Sequence, residues 1–372
     1  MPPMPGFVGG SYAGRSIQWD GERTINLYVE GHDAGTPKSA ARMLGTPSLQ
    51  PFVGVGAGPV RQVFSQDGRN FAVSGTYFAE FYQSQTAEAR GIVQADSRPA
   101  TIVSNGQAGQ QLFIVSGGLG YIFDLSLNSF VQITDHNFPS YCVQGEFFDQ
   151  YFFALDRDTG EAFFSDLDDG LTWSGIDFFA ESQFSDTVRS FKRVRDNLWL
   201  FGTKNTGPWY DAGGANNPFV PVPGSVMAQG IIGEGWSAVG LDNSVMWLAR
   251  NELGQGQIMR ANGYNPERVS THALEFYLNS ASSLDASIGF AYQEEGHLFY
   301  CLYVPTLPTT PVFDVASGLW EERAHWNSTT MVWEPWRPRC SAFGCGKLLF
   351  GDRASGTIYY GDLNQYVDRL VG

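Results

Sequence analysis

Short apolar runs recur along the chain, each bounded by turn residues: Phe71-Ala-Val-Ser-Gly, Leu112-Phe-Ile-Val-Ser-Gly, Tyr151-Phe-Phe-Ala-Leu-Asp, Leu198-Trp-Leu-Phe-Gly, Ser244-Val-Met-Trp-Leu-Ala, Leu298-Phe-Tyr-Cys-Leu-Tyr and Lys347-Leu-Leu-Phe-Gly-Asp. Their length and aromatic character mark them as central β-strands. Successive starts lie 39 to 54 residues apart. That period is the one expected of four-stranded propeller blades and is too long for short solenoid repeats.

Polar turns precede the runs, as at Gln66–Asn70, Asn105–Gly109, Asp242–Asn243 and Glu294–Gly296. A second aromatic strand follows, as at Tyr77–Tyr82, Gly120–Asp124, Ala162–Ser165, Pro208–Asp211, Pro311–Asp314 and Thr357–Gly361. Meandering antiparallel units of this kind pack radially and leave only short edges. The pattern predicts an all-β chain: a β-propeller of about seven, alternatively six, antiparallel blades over residues 60–372. An extended N-terminal arm over residues 1–59 precedes it.

Composition agrees. The 44 Gly and 19 Pro are scattered through 372 residues, and both oppose helix interiors. A hydrophobic content of 43% supplies a core and argues against disorder. Met1–Gly6 has neither a basic nor an apolar stretch of signal-peptide type. A long uncharged piece, Ala212–Gly233, is broken by Gly, Asn and Pro, so no membrane-spanning helix is expected there. Cys142, Cys301, Cys340 and Cys345 are too sparse for a disulfide scaffold, and a reducing cytoplasm fits as the place of folding. Cys340 and Cys345 have no matching Cys or His pair for zinc and are expected in adjacent strands.

The net charge is -15, with 23 Lys and Arg against 38 Asp and Glu. Such a chain lacks the broad basic surface that binds DNA phosphates. The exception is Arg189-Ser-Phe-Lys-Arg-Val-Arg195, where strand periodicity predicts Arg189, Arg193 and Arg195 on one face. A solvated or interface strand is favoured there over a nucleic-acid contact.

The turn Asp166-Leu-Asp-Asp-Gly-Leu-Thr-Trp173 resembles an Asp box, with Asp168, Gly170, Thr172 and Trp173 at the expected spacing. The Asp168 carboxylate is expected to accept backbone N–H groups, Gly170 to take a conformation closed to side chains, and Trp173 to pack beneath the hairpin. Such a turn supports a propeller without specifying an activity.

Candidate chemistry is thin. Asp156-Arg-Asp-Thr-Gly-Glu161 departs from a calcium loop after its first positions and reads as a turn. His32, His136, His272, His297 and His325 form no ligand pair, and His297 is expected to cap a strand. Gly54-Val-Gly56-Ala-Gly58 runs into Pro59 and a strand pattern, so it presents no helix N-terminus to phosphate. Abundant carboxylates keep open an alternative reading as a glycan-binding or glycoside-hydrolase propeller. No catalytic, cofactor-binding or metal-binding residues are assigned, and no cofactor is expected.

Three segments in the first fifty residues carry a family likeness: Gly10-Ser-Tyr-Ala-Gly-Arg-Ser16, Glu22-Arg-Thr-Ile-Asn-Leu-Tyr-Val-Glu30 and Leu44-Gly-Thr-Pro-Ser-Leu49. Later segments follow in order: Phe164–Trp173, Asp177–Glu181, Asp196–Gly202, Asn217-Pro-Phe219, Gly263–His272, Gly296–Tyr300, Phe313-Asp314 and Trp320. Together they resemble the packaged-DNA stabilisation proteins of short-tailed bacteriophages, the tail hub or nozzle family. Val29 and Ser48 depart from the family's usual Pro and Gly.

The resemblance implies a virion tail protein, assembled in the host bacterial cytoplasm, that forms a homo-oligomer, a hexamer, below the portal and adaptor ring. There it would extend the DNA channel, help retain the packaged double-stranded DNA without reading its sequence, and dock fibres or spikes. No covalent step is implied. Six copies at -15 each carry a formal -90, and an acidic wall would let a duplex slide without sticking.

Overall fold

The computed structural model describes residues 8–15, 21–31, 41–179 (174–179 as backbone), 186–214, 218–251 and 253–371. Met1–Gly6, Ser16, His32, Asn217 and the Ala180–Glu181 end of one family segment lie outside them.

The apolar runs form the second strand in each of seven antiparallel blades. Blade 1 comprises Val60–Gln66, Arg69–Ser74, Tyr77–Phe81 and Ala87–Ile92. Blade 2 comprises Thr101–Ser104, Gln111–Ser116, Leu119–Asp124 and Ser129–Gln132. Blade 3 runs through Cys142–Phe148, Tyr151–Asp156, Ala162–Asp166 and Asp169–Phe179, and blade 4 through Val188–Val194, Asn197–Gly202, Thr206–Asp211 and Phe219–Pro221. Blade 5 contains Val239–Leu241, Ser244–Arg250, Gly256–Asn262 and Asn265–Arg268. Blade 6 has five strands, Ile288–Glu294, His297–Tyr303, Thr310–Asp314, Leu319–Asn327 and Val332–Pro335.

Blade 7 takes Pro338–Gly344, Lys347–Asp352 and Thr357–Asp362 from one end of the chain and Ser48–Gly54 from the other. Val53 stands opposite Ile358 and Gln50 opposite Tyr360. Ser48–Gly54, within the segment assigned to the arm, is thus the outermost strand of a blade and closes the ring of sheets. Its exposed Pro51 fits an edge strand, where the missing N–H costs no ladder bond.

The second strands are continuously apolar because neighbouring blades cover both of their faces. Phe71, Ala72, Val73 and Ser74 are all buried, as are Leu198 to Gly202. Between blades 1 and 2, Phe71 and Phe78 stack 5.6 Å apart, and Phe123 meets Phe78 edge-on at 5.4 Å. Between blades 2 and 3, Phe113, Phe152 and Trp173 pack together. The short helix His272–Leu278, capped by the Thr271 hydroxyl accepting from Leu274 N–H, seals the core between blades 5 and 6 with Leu274 and Leu278.

The Asp-box-like turn differs from expectation by one residue. Asp169 is the acceptor, taking the Leu171 N–H at 3.0 Å and the Thr172 hydroxyl at 2.9 Å. Asp168 occupies the left-handed region with φ 53°. A register shift between Ser165 and Asp166 moves the turn along. Gly170 is not in the left-handed region; packing favours glycine there instead, since a Cβ would stand 2.3 Å from Ile122 Cδ1. Trp173 is buried and donates its indole N–H to the Gly170 carbonyl at 2.9 Å.

Candidate functional site

The described residues of the N-terminal segment lie along Leu319–Asn327, the fourth strand of blade 6. Ser11 N–H donates to the Trp320 carbonyl at 2.6 Å, and Glu322 donates its N–H to the Thr24 carbonyl at 2.9 Å and accepts the Asn26 N–H at 2.8 Å, on either side of a parallel bridge between Ile25 and Glu322. The Asn26 side chain continues the ladder, donating to the Ala324 carbonyl at 2.8 Å and accepting its N–H at 2.9 Å. Gly10 permits the approach: a Cβ there would sit 2.4 Å from the Trp320 carbonyl oxygen. Beyond this contact Leu27–Gly31 and Ala41–Gly45 form a hairpin. Tyr28 anchors it, buried against His297 and Phe299.

Between that hairpin and the extra strand of blade 6 lies an open groove of about 440 Å³, lined by Leu27, Pro47, Trp326, Trp333, Tyr366 and Val367 among others. The Trp326 and Trp333 rings meet edge-on at 5.2 Å. Trp326 is 41% exposed, Met331 67%, Val332 50%, Tyr366 93% and Val367 72%. Large apolar side chains gathered on one rim are the mark of an interaction surface rather than of random exposure. A second cleft, of about 500 Å³ between blades 4 and 5, is lined by Arg195, Trp199, Asp242, Arg260 and Tyr264. It is more polar and holds an Arg260–Asp242 ion pair.

The residues considered for chemistry are dispersed. Asp156 accepts from the N–H groups of Asp158 and Thr159 at 2.8 and 3.0 Å, closing a turn on itself. His297 begins its strand, buried, with Nδ1 2.8 Å from Asp314. His136 stands in solvent, His272 opens the short helix and His325 borders the Trp groove. Cys142, Cys301 and Cys340 are buried free thiols, and burial pushes the Cys340 thiol up to about 12. Cys345 and Gly346, at φ 52° and 68°, form the turn after the Cys340 strand, so Cys345 is not in an adjacent strand. Among the described residues, no group of three His, Cys, Asp or Glu side chains is placed to hold a metal ion.

Asp149 and Asp211, a carboxylate pair not anticipated from sequence, meet through a hydrogen bond that raises the Asp149 carboxyl's pKa. The three arginines expected on one face diverge. Arg189 sits at a bulge beside Glu234 and Trp236, Arg193 is exposed and reaches the Phe147 carbonyl, and Arg195 lies in a turn at φ 54°.

The family model for the phage stabilisation proteins, described as bacteriophage P22 Gp10, β-propeller, matches residues 6–366. The chain belongs to that family. The phage stabilisation assignment makes it a structural protein of the phage tail, located in the virion, that assembles with other phage proteins. No curated protein matches it.

Solved structures similar to this phage stabilisation protein share its fold alone. A streptogramin B lyase structure matches with a TM-score of 0.55 at 10% identity, covering 85% of this chain and 98% of that one. The extracellular domain of the one-component system BT4673 from B. thetaiotaomicron matches at 0.57 and 8% identity, covering 84% of this chain but 40% of that one. A chain of a mitotic checkpoint complex matches at 0.53 and 12% identity, covering 91% and 97%. No helix among the described residues is long and apolar enough to cross a membrane.

Proposed function

We propose that copies of this propeller form a ring, a hexamer, below the portal and adaptor of a short-tailed phage. The ring lines the DNA channel, helps retain the packaged genome and offers docking surfaces to fibres or spikes. The observation that carries the reading is the exposed aromatic rim of blade 6, framed by the N-terminal hairpin, in a chain of a phage tail family. An apolar rim of this kind supplies the desolvated centre that stable interfaces need. The segment over residues 1–59 contributes to ring contacts through the hairpin Leu27–Gly31 and Ala41–Gly45.

The duplex runs along the axis of the ring of copies, not through a propeller. The cavity on the propeller's own axis is about 200 Å³, far too small for a duplex whose major groove alone is about 12 Å wide. A net charge of -15 per copy gives the assembled wall a repulsive field toward phosphate, which suits passage without adhesion. The role is binding and conduit, with no covalent step.

Electron microscopy of the purified protein mixed with its cognate portal and adaptor tests the reading. A ring stacked on the adaptor is expected. A chain that stays monomeric and never joins the adaptor overturns it, and hydrolysis of host-surface polysaccharide by the purified chain would favour the glycosidase alternative.

A further inference from the structure

The axial cavity has a chemistry opposite to the chain's overall charge. All seven blades contribute to its wall, including Arg61 of blade 1, Gln144 of blade 3, Lys192 of blade 4 and Arg339 of blade 7. Lys192 is neutralised by Glu146 at 3.0 Å. Arg61 and Arg339 are not paired with any carboxylate among the described residues, although they are 1% and 6% exposed. Buried arginines are ordinarily ion-paired, because an unpaired charge out of water is costly.

Their neutral contacts do not exhaust them. Arg61 donates to the carbonyls of Gly75, Gln94 and Arg98 and to the Ser116 hydroxyl. Arg339 has one acceptor, the Ser97 carbonyl at 3.1 Å, and its buried Nε has none. The nearest acid, Asp96, is already bound by Arg98 at 2.9 Å. Burial pushes the Arg61 guanidinium down to about 10 and the Arg339 guanidinium below its ordinary value, the signature of charge without a counter-ion.

We propose that the axial cavity between Arg61 and Arg339 binds a compact oxyanion of phosphate size. Arg339 keeps N–H donors without an acceptor, its Nε among them, and a guanidinium suits an anion with several acceptor oxygens. A cavity of about 200 Å³ admits an ion of that size with some of its water. The anion compensates two buried charges drawn from the first and last blades, so binding holds together the two blades that meet where the ring of sheets closes.

Thermal unfolding and calorimetry of the full chain in inorganic phosphate, against chloride at matched ionic strength, test this. A saturable heat and a Tm that climbs with the logarithm of phosphate are expected, as for any ligand that binds only the folded state. Arg339→Gln should weaken phosphate binding by roughly tenfold or more. Gln62→Glu, which places a carboxylate on the cavity wall, should raise Tm without phosphate and abolish the phosphate dependence, and it decides the matter if Arg339→Gln does not fold. Identical behaviour in phosphate and chloride overturns the proposal, as does phosphate dependence that survives Gln62→Glu.

Discussion

Arg23 and Glu322 tie the N-terminal segment to the propeller: the Arg23 Nε donates to Glu322 Oε1 at 3.1 Å, while Thr309 Oγ1 donates to Oε2 at 2.6 Å. Ser11 adds its hydroxyl to Oε1 at 3.0 Å. One nearly buried carboxylate therefore collects donors from two parts of the segment and from the blade. Glu322→Gln should release residues 8–15 and 21–26 into faster hydrogen exchange and lower stability by about 1–3 kcal/mol, the range for charged hydrogen bonds. Unchanged exchange there would show that the main-chain contacts suffice.

Removal of residues preceding Val55 deletes the outer strand of blade 7 and exposes the edge of Thr357–Asp362. The truncated chain should lose its cooperative thermal transition and aggregate through that edge. Differential scanning calorimetry and light scattering check this, with a deletion ending before Ser48 as the control that keeps the strand.

The Asp-box-like turn yields a graded series. Asp169→Ala should cost about 0.5–1.5 kcal/mol through its lost hydrogen bonds. Asp168→Gly should be close to neutral, since Gly accepts the left-handed backbone at that position. Gly170→Ala should cost about 1–3 kcal/mol by overpacking against Ile122. Denaturant unfolding ranks the three, and a larger loss at Asp168 than at Asp169 would contradict the observed bonding.

Blade 6 makes stability depend on pH. Burial, reinforced by Glu295, pushes the Glu294 carboxyl up to about 7, and burial likewise raises Glu321 to about 7 against the opposing Arg323. A carboxyl with a folded pKa above its ordinary 4.5 holds its proton more tightly when folded. Its contribution favours the fold below that value and declines as pH rises toward 7. Glu294→Gln should flatten the decline and gain on the order of 1 kcal/mol at pH 8, after allowance for partial solvent access. Glu321→Gln should flatten the decline as well but with a smaller gain, because the charged form of Glu321 also pairs with the fully buried Arg323. Melting curves from pH 5 to 8 separate the two.

Trp326→Ser should leave Tm almost unchanged, as the ring is already part-exposed, yet impair ring assembly. Sedimentation velocity with and without the adaptor measures it; assembly at the wild-type level would move the interface away from the Trp groove.

Legibility in the sequence followed burial. Each second strand is covered on both faces, so runs such as Leu198–Gly202 stand out. An outer strand such as Ala87-Glu-Ala-Arg-Gly-Ile92 is mostly exposed and carries no apolar signature. Ser48–Gly54 was obscured by Pro51 and by partners at the far end of the chain. A one-residue shift in the hairpin register exchanged the roles of Asp168 and Asp169, which adjacent identical residues conceal. The Trp groove and the Arg61–Arg339 pair arise only when distant segments converge, and each residue alone looks ordinary.

Ser48 and Asp362 are hydrogen-bonded partners 314 residues apart in the chain. During synthesis, Ser48–Gly54 leaves the ribosome before any other strand of the seven blades, and its partner strand emerges after the first six blades are complete. An early strand edge is therefore left waiting, open to neighbouring chains, until translation is nearly finished. Fast elongation and early shielding of that edge would govern the yield of assembly-competent subunits as strongly as the stability of the finished fold.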